Sequence, residues 1–273
     1  MEHTFVICAY KESPYLEECI ESLKKQTVNS HIVLSTATPS VYLESICMKY
    51  DIRYVVRGGE PEISADWNYG LSIAKTPYVT LAHQDDIYEP QYVQQILQCA
   101  NEREKVTGVK ASIIFTDYYE ILNGQKKENS LNLYIKRVLL YSLRKQKRQD
   151  RKLYKRTALR YGNAIGCPTV TYNMKYINEL LSSHMRSSLF EEHFRSNLDW
   201  EAWEWLSNLP GAFICVPQIL MGHRIHGASE TSVVINDQKR TLEDYEMFCK
   251  FWPKCFVKAI SKLYRQSEKG NKV

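Results

Sequence analysis

Phe5-Val6-Ile7-Cys8-Ala9-Tyr10-Lys11-Glu12-Ser13-Pro14-Tyr15-Leu16-Glu17-Glu18-Cys19-Ile20 begins in one periodicity and ends in another. Residues 4–9 form a β-like run rich in Phe5, Val6 and Ile7. Pro14 then opens a helix, because its fixed φ and missing N–H suit a first helical turn. Leu16, Cys19, Ile20 and Leu23 follow at the spacing of one buried helical face. The alternation continues outward from there. Strands are predicted at 31–34, 52–56, 78–82 and 112–116, with helices at 41–50, at 64–74 and from Pro90 onward. Strands separated by helices of this length imply βαβ units and a mainly parallel sheet. Ligands of such sheets bind at the carboxyl ends of the strands. The loops after Ala9, Leu34 and Ala82 are therefore where chemistry is expected.

The second half is less regular. A basic helical region is predicted over 131–160, a strand-like run at 167–172 and a helix near Tyr176. A Trp-rich helix should start near Asp199, followed by two strands, 212–215 and 219–224, and a last helix over 241–264. The chain has 273 residues, 44% hydrophobic and 25% charged, which excludes a disordered or fibrous protein. Eight cysteines are scattered, with no pair at zinc-ligand spacing, so free thiols in a reducing compartment are expected. No stretch is long and apolar enough to span a bilayer. The first residues lack the pattern of a signal peptide, so a cytoplasmic protein is expected. The net charge of +5 is unevenly spread: residues 136–160 carry eleven Lys/Arg against Asp150 alone.

The strongest local chemical signal is His83-Gln84-Asp85-Asp86, two adjacent carboxylates where a predicted strand ends. One or two carboxylates can hold a divalent cation together with substrate phosphates. The same pair also suits a strand end and the cap of the next helix.

Several segments in order carry a resemblance to a family. Residues 5–27, the helix Ala65-Asp66-Trp67-Asn68-Tyr69-Gly70, and His83-Gln84-Asp85-Asp86 resemble the opening, the A-R-N-x-G helix and the D-x-D-D motif of family-2 inverting glycosyltransferases. Asn197-Leu198-Asp199-Trp200-Glu201 and His223-Arg224-Ile225-His226-Gly227-Ala228-Ser229-Glu230-Thr231 resemble that family's E-D-W/Y and R-x-H-x-x-S-x-T segments. The resemblance implies an α/β, Rossmann-like GT-A fold: a mainly parallel sheet flanked by helices, with a helical C-terminal extension. It divides the chain into a nucleotide-sugar half (1–125), an acceptor and catalytic-base half (126–232) and a C-terminal helical segment (233–273). It further implies transfer of a sugar from a nucleoside-diphosphate donor, a UDP-sugar first, to a glycan or lipid-linked acceptor in cell-surface polysaccharide assembly. Ala9, Tyr10 and Glu12 would border the base, with Asn68, His83 and Gln84 also on the nucleotide side. Asp85 and His226 would hold Mn²⁺ or Mg²⁺. Asp86, Trp200 and Arg224 would lie behind these or toward the acceptor, and Asp199 would be the general base. Read alone, Asp199 also fits a helix N-cap and His226 a structural histidine.

The chain departs from the family at the second strand, where Ser35 and Thr36 replace base-reading aspartates and would offer hydroxyls to the base edge of the nucleotide instead. Trp67 replaces the family arginine and His83 the first aspartate of the metal motif, which leaves Arg57 or Arg224 to meet the diphosphate. A sugar nucleotidyltransferase is the competing enzyme, but its glycine-rich phosphate loop is missing from Tyr10-Lys11-Glu12-Ser13. A nucleic-acid-binding module using 136–160 is the competing non-enzyme. It leaves the ordered motifs unexplained. Apolar Leu131, Leu133, Ile135, Val138, Leu139, Leu140 and Leu143, with Tyr134 and Tyr141, precede the charge cluster. They suit either an interfacial helix on an anionic membrane, making the protein peripheral on its inner face, or the core side of a solvated helix.

Overall fold

The computed structural model describes residues 1–226 and 238–269. Strands β1 (His3–Ala9), β2 (His31–Thr36), β3 (Arg53–Val56) and β4 (Tyr78–His83) are joined by α1 (Leu16–Lys24), α2 (Val41–Lys49) and α3 (Ile63–Ile73). They run parallel in the order β3-β2-β1-β4. Next come the two-residue β5 (Ile87–Tyr88), α4 (Tyr92–Thr107), the long β6 (Ala111–Leu122) and β7 (Gln125–Lys127), which pairs back onto β6. The chain then forms α5 (Leu131–Leu139), α6 (Lys152–Leu159), β8 (Val170–Asn173), α7 (Met174–Ser183), α8 (Leu198–Ser207) and β9 (Ala212–Ile225). Beyond β4 the sheet continues β8-β6-β9-β5 and becomes mixed, because β8 runs antiparallel to both β4 and β6. Two C-terminal helices, Gln238–Cys249 and Lys254–Lys269, complete the chain.

Alternation along β1 shows how the sheet is buried on both faces. Phe5, Ile7 and Ala9 pack with the α1 residues Leu16, Cys19, Ile20 and Leu23. Val6 faces the opposite core with Leu81, Ile113, Trp200 and Phe248. Strands covered this way read as continuous apolar runs, which is why β1 and β4 were legible. Two predictions need correction. The strands expected at 212–215 and 219–224 are one strand, β9, whose register against β6 slips where Thr116 faces Val216 and Asp117 faces Ile219. Pro217 and Gln218 fall in that slip, and proline has no N–H to donate to a ladder. The expected last helix is two, because Pro253 ends what Gln238–Cys249 began.

The basic region is also broken. Between α5 and α6 lie 3₁₀ turns at Leu140–Leu143 and Gln146–Arg148. The Gln149 side chain donates to Leu143 O (3.0 Å), and the Gln149 main-chain carbonyl accepts from Phe213 N (2.9 Å). Lys155 is fully buried. Its ammonium donates to the carbonyls of Leu206, Leu209 and Gly211, at the C-terminal end of α8, and burial lowers its pKa to about 8. One member of the charge cluster is thus a core residue that caps a helix.

Two side chains in the sheet yield tests. His3 is buried between Ser30 Oγ (3.0 Å) and Thr80 Oγ1 (2.8 Å), and burial lowers its pKa to about 3. The unfolded chain therefore binds a proton that the folded one refuses between about 3 and the ordinary 6.5. Stability should fall as pH drops through that window, and His3→Gln should flatten the slope in denaturant titrations at stepped pH. Gly222 lies opposite Tyr119, and a Cβ there would meet that ring at 2.4 Å. Gly222→Ala should cost about 1–3 kcal/mol, the usual penalty of overpacking, seen as a lower Tm.

Candidate functional site

The site is built where β1, β4 and β9 end together. β1 and β4 are parallel neighbours with Cys8 opposite His83, so the loops that follow emerge side by side. The Gln84 amide donates to Tyr10 O (2.9 Å) and ties those loops together. The turn His83-Gln84-Asp85-Asp86 is closed by Asp86 N donating to His83 O (3.3 Å). β5 then pairs antiparallel with β9, Ile87 opposite Gly222, and so carries Asp86 to the far end of β9.

Asp86 is wholly buried. Its Oδ1 accepts Arg224 N (2.9 Å) and faces His223 Nδ1 (3.1 Å). Its Oδ2 makes no hydrogen bond, and His83 Nδ1 is 3.8 Å away. Asp85 points the other way: its Oδ2 lies 2.8 Å from His226 Nε2, while its carbonyl accepts from Arg224 Nε (2.9 Å). Arg224 is itself buried, bonded to Glu18 (2.6 Å) with its guanidinium 4.2 Å from the centre of the Tyr15 ring. It fixes the Asp85 main chain. His83 stacks on Trp67, ring centres 5.7 Å apart.

Ligand atoms of His83, Asp85 and Asp86 lie within 4.8 Å of one another. His83 Nε2 and Asp86 Oδ2 are both buried without a hydrogen-bond partner, a costly condition that a cation would relieve. Carboxylate oxygens suit Mg²⁺ and Mn²⁺, so the donor set fits such an ion.

On the nucleotide side Tyr10 and Glu12 are exposed, and Lys11 sits between them in the left-handed region (φ 55°). Its N–H donates to Thr38 Oγ1 (2.7 Å). Ser35 and Thr36 are buried, and Thr36 Oγ1 accepts from Thr38 N (3.0 Å). Their hydroxyls lie beneath the surface, and Thr38 is the more accessible of the three. Ala9 is buried at the end of β1. Asn68 departs from its expected place beside the nucleotide: both atoms of its amide are engaged by the Phe190 main chain, at 2.8 and 3.0 Å. Arg57 is bonded to Asp66 (2.5 Å) and to the carbonyls of Gly58 and Glu60, so its charge is already met.

Asp199 stands in the first turn of α8 and is partly exposed. Its Oδ2 accepts from Asn163 Nδ2 (2.8 Å) and its Oδ1 from Trp200 N (2.8 Å). Burial raises its pKa above the ordinary carboxylate value, opposed by Asn163, the Trp200 N–H and the charge of Lys136. Of the two places expected for Trp200, behind the site or toward the acceptor, its burial matches the first. It is fully buried, donates to Leu159 O (3.1 Å) and packs against Phe248. Glu201 is held by Arg186 (2.6 Å) and Lys250 (3.2 Å).

Sequence reasoning missed several neighbours. Lys136 turns inward from α5 and donates to Tyr118 Oη (2.8 Å). Burial works against its charge, but Tyr118, Glu120 and Asp199 outweigh it and its pKa is raised. With Arg137, Asp117, Tyr118 and Gly166 it lines a cleft beneath α5. Nothing in the sequence separates Lys136 from the other basic residues of its run. His223 was quoted only inside a motif, and Asn163 had no signal. The motif residues Gly227 to Thr231 lie outside the described residues.

The comparisons identify the family and the fold. Residues 4–167 match the family described as glycosyl transferase family 2. A protein of Haemophilus influenzae named "Uncharacterized glycosyltransferase" is 25% identical over 252 residues, spanning 86% of this chain and 69% of that one. Among solved structures, S. aureus TarS 1-349 in complex with UDP-GlcNAc superposes with a TM-score of 0.65 at 14% identity, covering all of this chain and 74% of the other. The mannosyltransferase PcManGT from Pyrobaculum calidifontis, in complex with GDP-Man and Mn²⁺, gives 0.63 at 10% identity, covering all of this chain and 76% of that one. These likenesses establish the GT-A fold, and the family match extends from β1 through the His83–Asp86 turn to the start of the second half. The chain belongs to glycosyl transferase family 2.

Proposed function

We propose that this protein is an inverting, metal-dependent glycosyltransferase that carries a sugar from a nucleoside diphosphate, a UDP-sugar first, to an acceptor hydroxyl. The observation that carries the reading is the pairing of a carboxylate and imidazole cluster at the strand ends with a desolvated carboxylate, Asp199, on α8. The same fold holds UDP-GlcNAc in TarS and GDP-Man with Mn²⁺ in PcManGT, which supports a nucleotide-sugar donor and a divalent cation here. Asp85 would hold that ion, with His226 and His83 beside it. When bound, it supplies neutralisation of the charge on the departing diphosphate.

The protein's own residues do the rest. Tyr10 offers an exposed ring face to the base, and the Gln84–Tyr10 bond keeps that loop against the His83–Asp86 turn. Asp199 takes the proton of the acceptor hydroxyl while that oxygen bonds to the anomeric carbon. The bond from this carbon to the diphosphate oxygen breaks, and its electron pair leaves with the diphosphate. A single displacement inverts the centre, and no enzyme nucleophile is required. A base raised above the ordinary carboxylate value accepts a proton more readily. Glu201, the nearest alternative carboxylate in sequence, is already paired with two cations.

Calorimetry of UDP binding with and without Mn²⁺ tests the cation. Wild type should need the metal, and Asp85→Asn should lose the metal-dependent part while keeping its circular dichroism; equal affinity without Mn²⁺ in wild type would sink the assignment. For the base, Asp199→Asn should retain donor binding and lower transfer, read as UDP release in the presence of acceptor, by about 10²–10⁴-fold. The pH profile adds a signed test. A base works only when deprotonated, so kcat/KM rises with pH through its pKa. Asn163→Ala removes a donor that favours the charged carboxylate, so the acidic limb should move to higher pH. An unmoved limb would detach Asp199 from the proton transfer.

A further inference from the structure

α5 has two unlike sides. Toward the protein, Leu133 is buried, Lys136 bonds Tyr118, and Arg137 bonds Asp117 (2.7 Å). Away from it, Leu131 (72% exposed), Tyr134 (66%), Ile135 (41%), Val138 (55%) and, in the following turn, Tyr141 (60%) stand open. Spacings of three and four residues place these side chains on one stripe. A helix whose bonded cations face inward and whose apolar residues face out has the reverse of the pattern expected of a helix bathed in water. The stripe is contiguous, whereas isolated exposed apolar residues are ordinary on any surface.

The chain that leaves the stripe is cationic. Arg144, Lys145, Lys147, Arg151 and Lys152 are exposed and form no ion pair among the described residues. Leu153, at the start of α6, is 69% exposed and adds one more apolar contact. Elsewhere in the run the charges are engaged: Arg156 with Glu204, Arg160 over Trp252, and Lys155 inside the core. Free charge is thus concentrated in the turns beside the stripe.

We infer that the stripe of α5 and the basic turns after it form a docking face for an anionic lipid surface. Apolar and aromatic side chains enter the boundary between headgroups and acyl chains, while neighbouring Lys and Arg meet the headgroup charge. A protein partner with an apolar groove would satisfy the stripe but not five unpaired cations; an anionic membrane satisfies both. Attachment is peripheral, because no helix among the described residues is long and apolar enough to cross a membrane. The cleft that holds Lys136 lies directly beneath the docked helix, and the Lys136 charge acts on Asp199. A lipid-borne acceptor is the corollary, and that corollary rests on Asp199 as the base; the docking face does not.

The test is sedimentation of the full chain with vesicles of phosphatidylcholine alone or mixed with phosphatidylglycerol, at low and high salt, and it needs no turnover. Binding is expected on the anionic vesicles at low salt and should weaken at least tenfold at high salt or on neutral vesicles. Leu131→Ser with Val138→Ser, and separately Lys145→Glu with Lys147→Glu, should each reduce binding at least tenfold. UDP affinity should stay unchanged in both, which separates loss of docking from loss of fold. Absence of binding to anionic vesicles at low salt, or binding that both double variants leave intact, overturns the inference. A dimer in light scattering that Leu131→Ser with Val138→Ser converts to monomer, without vesicle binding in wild type, would assign the stripe to a second copy instead.

Discussion

Asp86 is a carboxylate with no access to water, joined at one oxygen to the main chain and side chain of β9. A buried charge is tolerated only where its neighbours are fixed to receive it, so this contact sets the position of everything that approaches it. It draws the β4 turn against the end of β9, and with it brings together two segments separated by more than a hundred residues. Asp85 and His226 come within contact distance for that reason. Arg224 completes the clasp from below: its main-chain N–H serves Asp86, and its guanidinium holds the Asp85 carbonyl and Glu18 of α1. Asp85 and His226 owe their approach to the contacts that Asp86 and Arg224 make.

The surroundings of Asp199 are assembled from separate elements. Asp199 lies at the start of α8, Asn163 in the loop before β8, and Lys136 on α5, so three separate segments converge on one carboxylate. Each contributes something different: a hydrogen bond, a main-chain N–H next in sequence, and a charge at longer range. The carboxylate is therefore partly covered and held at both oxygens. Burial raises its proton affinity, and these partners oppose that rise.

How much of this was legible in the chain follows from physics. β1, α1 and β4 could be read because strands buried on both faces and a one-sided helix leave unambiguous periodicities, as Phe5-Val6-Ile7 and Leu16-Cys19-Ile20-Leu23 do. The His83–Asp86 turn stood out because two carboxylates after an apolar strand are unusual. The bulge in β9 did not, since Pro217 looks the same whether it ends a strand or sits in a register slip. Asn68 and Trp200 lie in motif segments, yet their contacts are with Phe190 and Leu159. Position in a motif does not tell which way a side chain faces. Lys136 is the reverse case: only the packing of α5 distinguishes it from the exposed lysines that follow.

Glu243, in the first C-terminal helix, accepts the main-chain N–H groups of Arg195, Ser196 and Asn197 at 2.8–3.0 Å, and Asp244 holds the Asn197 side chain. These are the residues that lead into α8, two positions before Asp199. An element that reads as an appendage is therefore the anchor of the segment that leads into Asp199. A shortened chain ending before that helix would keep the donor corner intact and lose the fixed point for Asp199. A fusion or truncation boundary drawn by counting motifs alone would cut away the support of residues 195–197.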